Sequence, residues 1–199
     1  MSNPTLRDLT GMSPDPAPIS TSALVLIDCQ QTYREGVMQL EGVEPALEEA
    51  AELLRRFREA GRPVIHIMHD AGEGTPYDVG APIGQIADIV APVDGETVII
   101  KRFPSAFEQT ELDWELKKHG VDNVIYVGFM THMCVNSTAR SGFNKGYANT
   151  VVAGATATRA LPNATGGEDV PAEQLQAASL SALADMFAVV VPASRNVPD

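Results

Sequence analysis

The stretch Asn123-Val124-Ile125-Tyr126-Val127-Gly128-Phe129-Met130-Thr131-His132-Met133-Cys134-Val135-Asn136-Ser137-Thr138 decides how the rest of the chain is read. Its apolar run, Val124 to Val127, has the length and β-branched character of a buried strand. Gly128 breaks the run, and a helix is expected from about Met133 to Lys145. Cys134 falls near the first turn of that helix. There the partial positive charge of the helix N-terminus favours a thiolate, and unpaired backbone N–H groups can hold a developing oxyanion. Most free cysteines are small buried core residues, so position alone leaves a core thiol and a nucleophile both open.

Similar apolar runs recur on both sides of this stretch. Ala23 to Ile27 is a strand covered on both faces, and it ends at Asp28. Pro63 to Met68 and Thr97 to Ile100 follow, the latter ending at Lys101. Asn149 to Ala153 and Ala188 to Val191 complete six strands. Between them, Val43 to Ala60 repeats apolar residues (Ala46, Leu47, Ala50, Leu53, Leu54, Phe57) at three- and four-residue spacing, as a helix does. Thr110 to His119 and Ala172 to Asp185 are further helices, with Trp114 in the helix core. Strands alternating with helices predict an α/β, doubly wound (Rossmann-like), mostly parallel six-stranded sheet with helices on both faces. Residues 1–21 form an irregular arm and 22–199 a single domain. In such sheets ligands bind beyond the carboxyl ends of the strands, where strand order reverses. Asp28, Lys101 and Cys134 all fall at those ends. Each has a dull explanation alone, as a turn cap, a snorkelling cation or a packed thiol; three on one sheet edge mark a site.

Composition sets the outer bounds. With a net charge of −12 over 199 residues, the chain is not expected to bind nucleic acid or an anionic membrane. The acidity serves solubility and mildly favours neutral or cationic substrates. Cys29 and Cys134, the two cysteines, give neither a disulfide framework nor a zinc spacing. The first 20 residues lack the apolar core of an export signal. The expectation is a soluble cytoplasmic protein with reduced thiols, in which Cys29 is a buried structural residue.

Three motifs occur in order: Asp28-Cys29-Gln30 after an apolar strand, Lys101 followed by Ser105-Ala106-Phe107, and Gly128-x-x-Thr131-x-x-Cys134-Val135. As a set they resemble the isochorismatase-like cysteine hydrolases over about Ser22 to Val191. That family includes nicotinamidases, carbamoyl-amine, ureidoacrylate and maleamate amidohydrolases, a streptothricin hydrolase and isochorismatase. The resemblance implies a catalytic triad of Cys134, Asp28 and Lys101. It also implies a cis peptide between Phe129 and Met130, with the backbone N–H groups of Met130 and Cys134 as an oxyanion hole. The activity implied is cleavage of a C–N bond in a small amide, ureido or carbamoyl compound, and the assembly implied is a homo-oligomer (dimer or tetramer).

No cofactor is expected. Metal-binding nicotinamidases carry Asp-x-His after the second strand, whereas this chain reads His66-Ile67-Met68-His69-Asp70, so no metal site is assigned. The substrate-binding candidates are Phe107, Tyr33, His69 at the pocket mouth and His132 at its rim. Loop 70–93, with Tyr77, either closes over the site or reaches a neighbouring subunit; a loop of that length is more often functional than idle. The alternatives are a vinyl-ether hydrolase acting by acid catalysis from Asp28 and a non-catalytic oligomeric small-molecule-binding protein. A nucleotide binder would need a Gly-rich loop after the first strand, and Cys29 to Tyr33 is not one.

Overall fold

The computed structural model describes residues 3–199. Six strands, β1 (Ser22–Ile27), β2 (Val64–His69), β3 (Thr97–Lys101), β4 (Asn123–Phe129), β5 (Ala148–Ala157) and β6 (Val189–Val191), form one sheet in the order β3-β2-β1-β4-β5-β6. Every neighbouring pair is parallel, so the expected mostly parallel sheet is wholly so. All six residues of β1 are buried, because covered strands on both sides and layers on both faces leave no wet side.

Helix α1 (Leu6–Thr10) precedes the sheet, and α2 (Val43–Glu59) covers one of its faces. The periodic residues Ala46, Leu47, Ala50, Leu53, Leu54 and Phe57 are all buried. They pack with Leu24, Leu26, Ile125, Val127 and Val152. The other face carries α3 (Leu112–Lys118), α4 (Asn136–Asn144) and α5 (Ala172–Ala184), whose Leu112, Leu116, Ala139 and Leu183 join Val25, Ile27, Tyr126 and Val151. At roughly 1.5–3 kcal/mol per fully buried large aliphatic side chain, these two layers hold the sheet between them. Strand order reverses between β1 and β4, which places Asp28 and the segment after β4 on either side of the switch point.

Gly128 makes that junction possible. It lies at φ 109, and a Cβ there would stand 2.0 Å from the Ile27 carbonyl oxygen. Opposite, β4 and β5 slip register: Val152 to Ala155 of β5 stand against the single Val127. The bulge explains why β5 reads as ending at Ala153 from its apolar pattern while its ladder runs on to Ala157.

Two local expectations change. Trp114 is not in the core; it is 62 % exposed, with Lys118 Nζ 5.2 Å from its ring centroid. The N-terminal arm contains α1, opened by a reciprocal cap between Thr5 and Asp8. Its Leu6 N–H donates to Asp185 Oδ1 (2.9 Å) and its Arg7 guanidinium to the Met186 carbonyl (3.2 Å), so the arm lies against the end of α5. Among the described residues no helix is long and apolar enough to cross a membrane.

Candidate active site

Asp28 is the first residue beyond β1, and it turns the chain with φ 51, a left-handed conformation that Asp tolerates better than most residues. Lys101 is the last residue of β3 and pairs in register with His69, the last of β2. The three strand ends thereby converge. Lys101 Nζ lies 2.8 Å from Asp28 Oδ2 and 3.3 Å from Cys134 Sγ, to which it donates. His69 Nδ1 stands 3.2 Å from the same Nζ. Asp28 is fully buried and Cys134 6 % exposed. Apart from the ion pair, neither Asp28 oxygen accepts a well-formed hydrogen bond.

Cys134 does not sit in an α-helical first turn. Thr131–Val135 forms a wider π-type turn ahead of α4, in which the Val135 N–H donates to the Met130 carbonyl five residues back (3.2 Å). The Phe129–Met130 peptide bond is cis. Burial, then the neighbouring Asp28 carboxylate, push the Cys134 thiol up to about 12 against the opposing pull of Lys101, which works against the thiolate. Burial likewise raises Asp28 above the usual carboxylate range, although Lys101 opposes it. Burial works against a charged Lys101, but Asp28 and Cys134 outweigh it and the ammonium is held above the ordinary lysine value. The result is one fixed cation between two groups that both retain protons more tightly than they do in water.

The loops complete the site. Gln30, from the Asp-x-Gln motif, donates through Nε2 to the carbonyls of His69 (3.0 Å) and Gly84 (2.6 Å) and accepts from the His69 N–H (2.9 Å). This clamp ties the ends of β1 and β2 to loop 70–93. The loop folds tightly enough that a Cβ on Gly84 would lie 2.1 Å from the Asp78 carbonyl oxygen. It carries Tyr77 edge-on to His69 (5.1 Å between centroids) and to Tyr33 (5.8 Å), while Tyr33 meets Phe129 at 5.5 Å. Through Tyr77 the loop packs against Tyr33 and His69 beside Asp28, Lys101 and Cys134.

Of the substrate-binding candidates, Tyr33 and His69 fall beside the triad. His132 lies in the same turn as Cys134, its Nδ1 hydrogen-bonded to the Thr158 hydroxyl. Burial, then Lys101, lowers the pKa of His69; burial, then Arg159, lowers that of His132. Both shifts favour the neutral ring. Phe107 is placed differently. It stacks on Tyr147 (5.7 Å, 19°) and packs against Gly142, the surroundings of a core aromatic under α4. Cys29 is buried, and burial raises its pKa well above that of a free thiol. Among the described residues no group of three or more His, Cys, Asp or Glu side chains is arranged to hold a metal ion. A cavity of about 430 Å³ bordered by Arg7, Met12, Asn123 and Ala148 lies at the amino ends of β4 and β5, on the opposite edge from the triad. Gln30 and Tyr77 carry more of the site than their sequence context signals.

The comparisons with known proteins agree with this architecture. Residues 22–194 match the isochorismatase domain family. The secreted isochorismatase effector Isc1 of Verticillium dahliae is 33 % identical over 186 residues, covering 93 % of this chain and 95 % of that one. The maleamate amidohydrolase of Pseudomonas putida is 31 % identical over 153 residues, covering 65 % and 69 % respectively. The crystal structure of an isochorismatase from Pseudomonas putida KT2440 superposes with a TM-score of 0.94 at 37 % identity, covering 98 % of this chain and all of that one. The chain belongs to the isochorismatase family of hydrolases, whose members include amidohydrolases that act on C–N bonds.

Proposed function

We propose that the protein is a metal-independent cysteine amidohydrolase that cleaves a C–N bond in a small amide, ureido or carbamoyl compound through a thioester on Cys134. The observation that carries this is the position of Lys101 Nζ, 2.8 Å from Asp28 and 3.3 Å from Cys134. A lysine so placed keeps one negative charge stable whether it resides on oxygen or on sulfur.

In this reading Asp28 takes the Sγ proton as the sulfur attacks the substrate carbonyl carbon. An S–C bond forms, and the carbonyl oxygen becomes an anion held by the Met130 and Cys134 backbone N–H groups. Asp28 returns the proton to the leaving nitrogen, the C–N bond breaks and the amine departs. Water then attacks the thioester carbonyl, giving its proton through Asp28 to the departing sulfur. The sum is amide plus water to acid plus amine. The raised pKa of Asp28 suits a group that must both accept and return a proton. Tyr33, His69 and His132 bind the substrate, with Gln30 and Tyr77 fixing the loops around it, in the domain of residues 22–199. The free state of both cysteines suits a reducing compartment.

The same raised pKa favours a second reading, since a protonated Asp28 is what vinyl-ether hydrolysis requires, and that reaction has no use for the thiol. Ammonia release from a panel of small amides and carbamoyl compounds, with intact-mass detection of an acyl adduct on Cys134, separates the two. The proposal expects Cys134→Ala to abolish both signals, by about 10,000-fold in turnover. Turnover of a vinyl ether that survives Cys134→Ala would establish the second reading.

A further inference from the structure

Lys101 is 1 % exposed, and the mechanism above needs its ammonium to stay charged and in place while a proton moves beside it. An ammonium carries three N–H donors and no acceptor, so a buried one is satisfied only by three acceptors. Asp28 Oδ2 at 2.8 Å and Cys134 Sγ at 3.3 Å supply two. The third is His69 Nδ1 at 3.2 Å, a contact to which the reading above gives no task.

Strand pairing puts the imidazole there. His69 and Lys101 end β2 and β3 and stand opposite each other in register, so their side chains leave the same face of the sheet from strands about 4.8 Å apart. Gln30 then fixes the main chain of His69, accepting from its N–H (2.9 Å) and donating to its carbonyl (3.0 Å). Tyr77 packs edge-on against the ring, 5.1 Å between centroids. Because an ammonium only donates, Nδ1 presents its lone pair to Lys101 and the ring proton sits on Nε2. A neutral acceptor suits this place. A further carboxylate would compete with Asp28 and Cys134 for the one cation, whereas imidazole takes the hydrogen bond and leaves the charge to them.

We propose that His69 is a positioning residue for Lys101. Its Nδ1 accepts the third ammonium proton, which stops the ammonium from turning and keeps the other two protons aimed at Asp28 and Cys134. The cation then stays in place while a proton passes between those two groups. The same bond fixes the tautomer of the ring, so the Nε2–H is left as a donor toward the substrate. The role in turnover rests on the amidohydrolase reading; the bond to Lys101 and the tautomer do not.

Two measurements test it. Long-range proton–nitrogen NMR spectra of the histidine rings at neutral pH, assigned with His69→Asn, read the tautomer directly. Wild type should show His69 protonated on Nε2 alone, and the Nδ1 resonance should move in Asp28→Asn/Lys101→Met, where the donor is gone. A protonated Nδ1, or an Nδ1 resonance that is the same in both proteins, overturns the inference. The second measurement compares ammonia release by His69→Asn and His69→Leu on the small amide or carbamoyl compound that wild type cleaves fastest. Both variants lose the Nε2 donor and should raise KM alike. Only the Asn amide oxygen replaces the Nδ1 acceptor, so kcat should be about 30-fold lower in His69→Leu than in His69→Asn. Equal kcat values in the two folded variants overturn the positioning role. If wild type releases no ammonia from any member of the panel, the amidohydrolase reading has failed, and the ring spectra decide the inference alone. They also decide it alone if His69→Leu does not fold.

Discussion

Two buried carboxylates in this protein face cations at similar distances and respond in opposite ways. Glu96 receives Arg58 Nε on Oε1 (2.7 Å), and on Oε2 it receives Arg58 Nη2 (2.8 Å), His66 Nε2 (2.9 Å) and the Val93 N–H (3.0 Å). Burial opposes its charge, but these donors win, and the carboxyl is held down to about 2. Asp28 has the Lys101 ammonium at 2.8 Å and no backbone donor. There burial wins, and the carboxyl is raised. A cation alone does not fix a carboxylate as an anion; the number of donors around it does. The structural carboxylate is saturated, and the one at the strand edge is short of partners, as the proposed proton carrier has to be.

The largest expected effect that sharpens this comparison is on turnover. Asp28→Asn removes the proton carrier and should lower turnover by at least about 1,000-fold, while Glu96→Gln should leave it within about twofold. An equal loss from both would mean that Glu96 is not merely structural. Stability should show the reverse order. Glu96→Gln removes the charge that pairs with the half-buried Arg58 and is expected to cost about 1 kcal/mol at pH 7 by denaturant melts. Because the folded pKa of Glu96 is depressed, its contribution is present above the unfolded value of about 4.5 and is lost as pH falls toward about 2. The difference between wild type and Glu96→Gln should therefore shrink across that interval. The double variant Asp28→Asn/Lys101→Met removes both buried charges at once, and its melting temperature should equal or exceed that of wild type. A double variant less stable by several kcal/mol would show that the pair holds the fold together. The smallest effect belongs to Arg102, whose side chain is 78 % exposed and 3.4 Å from Asp70. Arg102→Ala should change stability by less than about 0.5 kcal/mol.

Sequence pattern carried the sheet well because a parallel sheet buries its strands on both faces, and Ala23 to Ile27 or Val124 to Val127 can hardly be anything else. The motifs likewise pointed to Asp28 and Lys101, which close apolar runs, and to Cys134, which follows the break after one. What pattern could not show was irregular backbone. The bulge opposite Val127 hid the last residues of β5 and, beyond them, Thr158. The π-type turn at Thr131–Val135 leaves no periodic trace in five residues. Phe107 lies in the right motif, but its ring stacks on Tyr147, a direction that no spacing rule reports. The environment of the Cys134 thiol was legible only in part for a different reason: the helix N-terminus argument counts one favourable field and omits burial and Asp28, which act the other way.

The central claim is that Asp28 and Cys134 share one proton across Lys101, and the pH dependence of Cys134 alkylation by iodoacetamide in wild type and in Asp28→Asn tests it most directly. Asp28 raises the thiol pKa and Lys101 lowers it. Removing the carboxylate should therefore shift the alkylation profile to lower pH and speed labelling at neutral pH, even as amide turnover collapses. An Asp28→Asn profile that coincides with wild type, or moves to higher pH, would contradict the shared proton and the mechanism built on it.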